Sequence, residues 1–256
     1  MQNNTFSGLF VGQNLITLKE VASTNTFLKD ALSKSTPLLE GTVIMAEKQF
    51  AGRGQTDNTW LSEERMNLTF SILLNPSFLR VDQQFEFNKA ISVALIDVLG
   101  TYVGDDALIK WPNDLYIGGR KTGGMLIENI VTGNKIKHAI VGIGLNVNQT
   151  NFPVSLKNVT SLKQRLHKDY DLLVLLGEIC SAIEARYLQL KAGHTKKISL
   201  DYMNSLYLLN QRASFKTKDG FLEGKIIGVN SSGQLEMETP GGRVFFNNKE
   251  VEFIYE

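Results

Sequence analysis

Four β-rich runs between residues 107 and 146 constrain the fold of this chain more than any other feature. They are rich in Val, Ile and Leu and cover residues 107–111, 115–117, 124–131 and 136–146. The two later gaps read Gly-Gly-Arg and Thr-Gly-Asn-Lys, which is typical of the tight turns that join antiparallel strands. The chain therefore predicts a mostly antiparallel sheet.

Helical patterns accompany these strands. Ser23 can cap a helix that runs to about Leu32, because its hydroxyl oxygen can accept from the free N–H groups of a first turn. Over residues 82–103 a helix packed on a sheet is predicted by apolar residues on one face, namely Phe87, Ile91, Ala94 and Val98. Further helices are predicted at residues 162–166, 172–190 and 200–209, and further strands near residues 16–21, 42–46 and 68–74. The predicted fold class is α+β.

The last stretch of the chain, residues 211–256, has a different pattern. Short alternating runs are separated by Lys-Asp-Gly, Asn-Ser-Ser-Gly and Thr-Pro-Gly-Gly, at the spacing of a small β-barrel. We therefore expect a domain boundary near Asn210, with a larger domain at residues 1–210 and a small β-barrel domain at residues 211–256.

Charge and cysteine content exclude several classes of partner. The 27 Lys and Arg residues nearly balance 26 Asp and Glu residues, so we expect no nucleic-acid partner. Cys180 is the only cysteine, which argues against a disulfide framework and fits a reducing cytoplasm. No window approaches the roughly 20 apolar residues that span a bilayer, and residues 1–10 lack the pattern of a signal peptide. We expect a cytoplasmic protein without a membrane partner.

The first of three segments with candidate chemistry lies at residues 49–55. Gly52 and Gly54 flank Arg53, which lets backbone N–H groups approach an anion while the guanidinium neutralises it. Taken alone, this tripeptide also fits an ordinary surface turn. It is not the ATP-binding P-loop, because no Gly-Lys-Ser/Thr follows a four-residue gap.

The second segment, Lys110-Trp111-Pro112-Asn113-Asp114, is more specific because a proline fixes a turn among a cation, an aromatic ring and polar groups. Lys121 lies eleven residues after Lys110 and can reach a phosphate, although it also fits a solvated hairpin lysine. In the third segment, residues 142–148, Asn146 and Asn148 alternate onto one face. The three histidines, His138, His167 and His194, lack ligand spacing, so no protein-bound metal is expected.

Taken in order, these segments resemble the biotin-protein ligase family over nearly the whole chain. The resemblance is carried by Ala22-Ser23-Thr24-Asn25, residues 49–55 with Trp60, residues 110–114, Lys121 with Gly124, and residues 142–146. It implies a class II synthetase-like biotin/lipoate ligase fold with an SH3-like C-terminal domain. It also implies an enzyme that adenylates biotin with ATP and transfers it to one lysine of an acceptor protein.

The resemblance also implies roles for individual residues. Arg53 and Lys121 are the catalytic cations. The biotin site comprises Ser23, Thr24, Asn25, Gln49, Arg53, Gly54, Gln55, Lys121 and Gly124. The ATP site comprises Arg53, Gln55, Trp60, Lys110, Asn113, Asp114 and Asn146. ATP and Mg²⁺ are the implied cofactors, since joining two anions requires cations to offset the charge.

One departure from the family concerns the loop after Arg53. Family members often carry a second arginine there, whereas this chain reads Gln55-Thr56-Asp57-Asn58, which puts retention of the adenylate in doubt. Because water would destroy a mixed anhydride, we expect residues 49–60 to order over it as a lid.

The expected partner is the biotin carboxyl carrier protein domain of a carboxylase, and the expected oligomeric state is monomer or homodimer. Only 22 residues precede Ser23, too few for the winged-helix DNA-binding domain of the family's regulatory members. We therefore expect the single-function type, without a repressor role.

Three rival functions remain. A lipoate or octanoate ligase shares the fold and the lysine chemistry, but should need an extended apolar tunnel. A thiol-dependent acyltransferase needs an exposed nucleophilic cysteine, which Cys180 in an apolar helix does not offer. A non-catalytic biotin-binding protein would lack the phosphate cations, yet Arg53 and Lys121 are present.

Overall fold

The computed structural model describes residues 6–34, 38–55 and 58–254. Its main element is a seven-stranded sheet with the order β1-β2-β5-β9-β8-β7-β6. These strands are β1 (Leu15–Val21), β2 (Val43–Gln49), β5 (Leu68–Leu74), β6 (Ala107–Lys110), β7 (Asp114–Ile117), β8 (Arg120–Thr132) and β9 (Lys135–Leu145), and a separate short ladder joins β3 (Gly52–Arg53) to β4 (Thr59–Trp60).

The predicted sheet between residues 107 and 146 is confirmed. β6, β7, β8 and β9 pair successively and antiparallel, with Gly118, Gly119 and Gly133 at positive φ in the connecting turns. Among the strand pairs of the described residues, β1 and β2 alone are parallel, because α1 (Thr24–Leu32) supplies the crossover between them. The mostly antiparallel α+β fold class is therefore correct.

Helices cover both faces of this sheet. α2 (Gln84–Val103), α4 (Leu172–Lys191) and α5 (Thr195–Asn204) share one core with alternate strand residues such as Phe70 and Val141. α1 packs on the opposite face through Leu28, which meets Ile44, Leu73 and Ile140. Ser23 caps α1 as predicted, with its hydroxyl accepting from Thr26 N–H. A short helix, α3 (Leu162–Leu166), also matches its prediction.

The predicted helix at residues 200–209 is wrong in its bounds, because α5 spans Thr195–Asn204. Ile198 and Tyr202 form the buried face of α5, whereas Leu200 is 60% exposed. Leu206 instead lies beside Ile109 of β6 in a parallel bridge. The apolar residues after 204 therefore extend the sheet edge, a tertiary contact that helical periodicity alone does not reveal.

The C-terminal stretch forms a five-stranded antiparallel sheet with the order β13-β12-β11-β10-β14. Its strands are β10 (Arg212–Thr217), β11 (Gly220–Val229), β12 (Leu235–Thr239), β13 (Gly242–Phe246) and β14 (Val251–Phe253). This matches the small β domain that the sequence predicts, while the boundary near Asn210 stays a prediction. Within the described residues, no helix is long and apolar enough to cross a membrane.

Candidate active site

A cavity of about 700 Å³ opens on the face of the main sheet that carries α1. Its wall brings together residues from all three candidate segments and from the start of α1. Of the residues assigned from the sequence, those that line it are Ser23, Thr24, Asn25, Gln49, Arg53, Gly54, Gln55, Trp60, Lys110, Asn113, Asp114, Lys121 and Gly124.

The strand register explains why residues so distant in sequence meet here. Lys110 pairs with Asp114, Asp114 with Gly124, and Gly124 with Gly144, and directly paired residues in antiparallel strands project to the same face. Because glycine has no side chain, Gly144 leaves room for the Trp60 ring over the middle of the sheet. A Cβ at Gly144 would lie 2.3 Å from the Trp60 ring, so the ring needs glycine there.

One end of the cavity consists of hydroxyl and amide groups at the start of α1. Thr24 N–H donates to Gln49 Oε1 over 2.9 Å. Ser71 Oγ lies 2.7 Å from Thr24 Oγ1 and 2.6 Å from Asn25 Oδ1. Ser23, Thr24 and Asn25 are each at most 5% exposed. Burial and these hydrogen bonds together fix the side chains at this end.

Gly142 makes that end possible. A Cβ at this position would lie 2.2 Å from Asn25 Oδ1, closer than any real contact. The glycine therefore admits the Asn25 amide between α1 and β9.

The cavity wall also carries the two predicted catalytic cations. Arg53 Nη2 lies 2.7 Å from Glu128 Oε2, and Lys121 Nζ lies 2.6 Å from Asp114 Oδ1. Both pairs are partly solvated, with 45% of the Arg53 side chain and 37% of the Lys121 side chain exposed. The positive charge of each cation is thus balanced by a carboxylate of the protein itself.

A β-bulge brings Lys121 into the cavity. The β7 and β8 ladder passes from Leu115 paired with Gly123 to Tyr116 paired with Lys121, so Thr122 has no partner across this ladder. In a regular ladder, Lys121 lies three residues from Gly124 and would project to the opposite face; the bulge turns it to the same face as Gly124. The sequence predicted that this strand begins at Gly124, whereas β8 begins at Arg120.

Lys110 sits deeper than the other cations. Its ammonium lies 4.8 Å from the centre of the Phe253 ring, which belongs to the C-terminal sheet. Burial lowers the pKa of Lys110, and the nearby Asp114 carboxylate partly opposes this effect. Lys110 is therefore placed as a fixed, partly desolvated group between the two sheets.

The two asparagines predicted as nucleotide contacts differ in placement. Asn113 lines the cavity and is hydrogen-bonded to Met125 of β8. Asn146 is not part of the wall: its side-chain amide donates to Thr160 O over 3.1 Å, and its Oδ1 is buried without a partner. Its role as a nucleotide contact stays a prediction.

The predicted loop at residues 49–58 contains more structure than expected, because Gly52 pairs with Trp60 and Arg53 with Thr59. Thr56 and Asp57, part of the departure from the family and of the expected lid, lie outside the described residues. The lid itself stays a prediction.

Sequence reasoning missed the contribution of the C-terminal sheet. The loop before β14 and β14 itself line the cavity through Asn248, Lys249, Val251, Glu252 and Phe253. The side chain of Asn248 also donates to Gln55 Oε1. Nothing local in residues 248–253 announces this role, because it depends on how the two sheets pack. Glu128, the partner of Arg53, was missed for the same reason.

Cys180 does not supply a nucleophile. It is buried in α4, and burial raises the pKa of its thiol to about 12, with Glu184 adding to the effect. A thiolate is therefore strongly disfavoured at neutral pH, which argues against a thiol-dependent acyltransferase.

Comparison with known proteins identifies the family. A model described as the biotin/lipoate A/B protein ligase family matches residues 18–146, half of the chain. This chain belongs to the biotin/lipoate A/B protein ligase family. The match covers α1, nearly all of the main sheet, the first two candidate segments and most of the third, whereas the wall residues 248–253 lie outside it.

Two family relatives and one solved structure extend the comparison beyond the matched region. The bifunctional ligase/repressor BirA of Bacillus subtilis is 31% identical over 235 residues, which cover 91% of this chain and 71% of that protein. The biotin-[acetyl-CoA-carboxylase] ligase of Paracoccus denitrificans is 35% identical over 131 residues, covering 50% of this chain and 53% of that protein. The biotin protein ligase of Aquifex aeolicus, solved in complex with biotin and ATP, superposes with a TM-score of 0.79 at 28% identity and covers 95% of this chain and 99% of its own.

Proposed function

We propose that this chain is an ATP-dependent biotin-protein ligase. It forms biotinyl-5'-adenylate from biotin and ATP, and then transfers biotin to one lysine of a biotin carboxyl carrier protein domain. The observation that carries this proposal is one cavity whose wall combines a fixed hydroxyl and amide end, glycines beneath Asn25 and Trp60, and the cations Arg53 and Lys121.

Biotin has a ureido ring, an apolar body and a carboxylate, and these match the cavity in that order. The ureido ring needs donors and acceptors together, which Ser23, Thr24, Asn25 and Gln49 provide. Leu126 and the Trp60 ring supply apolar wall. The biotin carboxylate then points toward the cations.

In the first half-reaction, a biotin carboxylate oxygen attacks the α-phosphorus of ATP and pyrophosphate leaves. Two anions must approach each other, so Arg53 and Lys121 stabilise the charge that develops at the phosphate. In the structure these cations are paired with Glu128 and Asp114. The substrate anions replace those carboxylates.

Two buried polar atoms are consistent with a further ligand. Trp60 Nε1 and Asn146 Oδ1 are both buried without a hydrogen-bond partner in the described part of the chain. Since buried polar groups normally have a partner, Trp60 Nε1, which lines the cavity, is available to a bound ligand, whereas Asn146 would first have to move because it is not part of the wall.

Magnesium fits this site as an ion delivered with ATP. Among the described residues, no group of three or more His, Cys, Asp or Glu side chains is placed to hold a metal. Mg²⁺ usually binds through substrate phosphates and one or two carboxylates, and Asp114 and Glu252 are carboxylates of the wall. When bound, Mg²⁺ neutralises phosphate charge.

In the second half-reaction, the acceptor lysine nitrogen attacks the biotinyl carbonyl carbon. A C–N bond forms, the bond to the AMP oxygen breaks, and the lysine nitrogen loses a proton. The Asp114 carboxylate lies beside Lys121 and is placed to accept that proton once Lys121 contacts the phosphate.

The test is pyrophosphate release from ATP and Mg²⁺ with biotin, lipoate or octanoate as the acid, followed by transfer to a carboxylase carrier domain. We expect release and transfer with biotin only. Release with lipoate or octanoate in preference to biotin would contradict the substrate, and biotin-dependent release without transfer would contradict the acceptor.

A further inference from the structure

Glu128 was not predicted by sequence reasoning, yet it joins two residues of the cavity wall. Its Oε2 atom accepts from Arg53 Nη2 over 2.7 Å and from Asn25 Nδ2 over 2.9 Å. Asn25 belongs to the hydroxyl and amide end, and Arg53 is one of the two predicted catalytic cations. One carboxylate oxygen therefore joins the two regions that bind different substrates in the proposed function.

A third group stands beside this carboxylate. Lys29 Nζ, from the last turn of α1, lies 3.8 Å from the other oxygen, Glu128 Oε1. At that distance Lys29 contributes attraction without a hydrogen bond. Its side chain is 57% exposed, whereas that of Glu128 is 23% exposed. Lys29 is therefore free to move closer when Glu128 loses another partner.

We propose that Glu128 is a positioning residue that holds Arg53 away from the phosphate until ATP binds, with Lys29 as the replacement counterion. This inference rests on the proposed function, because it assumes that Arg53 contacts the nucleotide. When Arg53 turns to the phosphate, the half-buried Glu128 carboxylate would otherwise lack a cation. Lys29 and the Asn25 amide then stabilise it together.

The consequence is a specific effect on nucleotide affinity. The Arg53–Glu128 contact competes with the Arg53–phosphate contact, so it weakens ATP binding by the free energy of the pair. Pairs as exposed as this one are worth little, which corresponds to about a two- to fivefold effect. A residue with a purely structural role would instead weaken binding when replaced.

The first experiment measures KM for ATP in biotin-dependent pyrophosphate release by Glu128→Gln. Glutamine keeps an acceptor for Asn25 but removes the charge that holds Arg53. We expect KM for ATP to fall about threefold, with KM for biotin within twofold of the original. The matched control is Glu20→Gln, which removes the carboxylate of an exposed pair with Lys48 at 2.7 Å outside the cavity, and it should leave both constants unchanged.

A double-mutant cycle locates the effect on Arg53. In an Arg53→Ala background, Glu128→Gln should no longer lower KM for ATP, because the competing contact is already gone. Lys29→Met should raise KM for ATP about twofold in the original protein, and should have no effect once Glu128 is Gln.

Two outcomes would overturn the inference: a KM for ATP that rises or stays constant in Glu128→Gln, or a decrease that persists without Arg53. Failure of the proposed function would look different, because the unaltered protein would then release no pyrophosphate in response to biotin.

Discussion

The cavity wall contains two groups of residues that differ in exposure and in hydrogen bonding. Ser23, Thr24 and Asn25 are almost fully buried and are fixed by hydrogen bonds from Gln49 and Ser71. Arg53 and Lys121 are partly exposed and are paired with carboxylates that a ligand must displace. A neutral ring is thus recognised by a site that exists beforehand, whereas charged groups are recognised by cations that change partners.

The largest expected effect comes from removing one of the two predicted catalytic cations. Lys121→Ala should lower the rate of adenylation by roughly a hundredfold or more, the scale of losing one group that stabilises the transition state. Pyrophosphate release at saturating biotin and ATP measures this. Lys163→Ala is the control, since Lys163 also forms a 2.7 Å ion pair, with Asp169, but away from the cavity. Adenylation near the original rate in Lys121→Ala would remove Lys121 from the site.

The next prediction tests the hydroxyl and amide end of the cavity. Gly142→Ala places a Cβ 2.2 Å from Asn25 Oδ1, so the Asn25 amide must move. We expect KM for biotin to rise about thirtyfold, consistent with losing one or two hydrogen bonds, while KM for ATP changes little. Gly100→Ala is a matched control, because its Cβ meets nothing within 4 Å. Equal changes in both KM values would show that the two groups are not independent.

A third cation can also be added to the cavity wall, at position 55. Gln55 lines the cavity and contacts Asn248, at a position where family members often carry arginine. Gln55→Arg should slow release of the adenylate about tenfold by adding a charged hydrogen bond to the phosphate. Dissociation of preformed adenylate measures this, with Gln55→Met as the uncharged control. Unchanged release would show that position 55 does not face the adenylate phosphate.

The smallest effect is a response to salt. Raising ionic strength should increase KM for ATP a few-fold, because the cations that bind it are partly exposed and screened. KM for biotin should rise less steeply over the same range, because its ring contacts are buried and neutral and only its single carboxylate meets the cations. A KM for biotin that follows salt as steeply as KM for ATP would contradict the contrast between the two groups.

Sequence patterns predicted the parts of the fold that depend on neighbouring residues. Tight turns at Gly118, Gly119 and Gly133 gave the order of the four strands, and the Ser23 cap gave the start of α1. The bounds of α5 were wrong because Leu206 packs against β6, a contact from a distant part of the chain.

The site shows the same division. The three segments pointed to most of the cavity wall, since each combines residues that contact ligands. The bulge that turns Lys121 inward, the Glu128 partner of Arg53 and the wall formed by residues 248–253 all depend on strand register or on the packing of two sheets. One sequence does not contain a local signal for such contacts.

The central claim is that one cavity joins biotin to AMP. The most direct measurement is mass spectrometry of an acid-quenched mixture of protein, biotin, ATP and Mg²⁺ without an acceptor. The account predicts biotinyl-5'-adenylate together with an equal amount of pyrophosphate, and none from the Lys121→Ala protein within the same time. Conversion of ATP to ADP and phosphate, or an adenylate formed from lipoate or octanoate in preference to biotin, would contradict it.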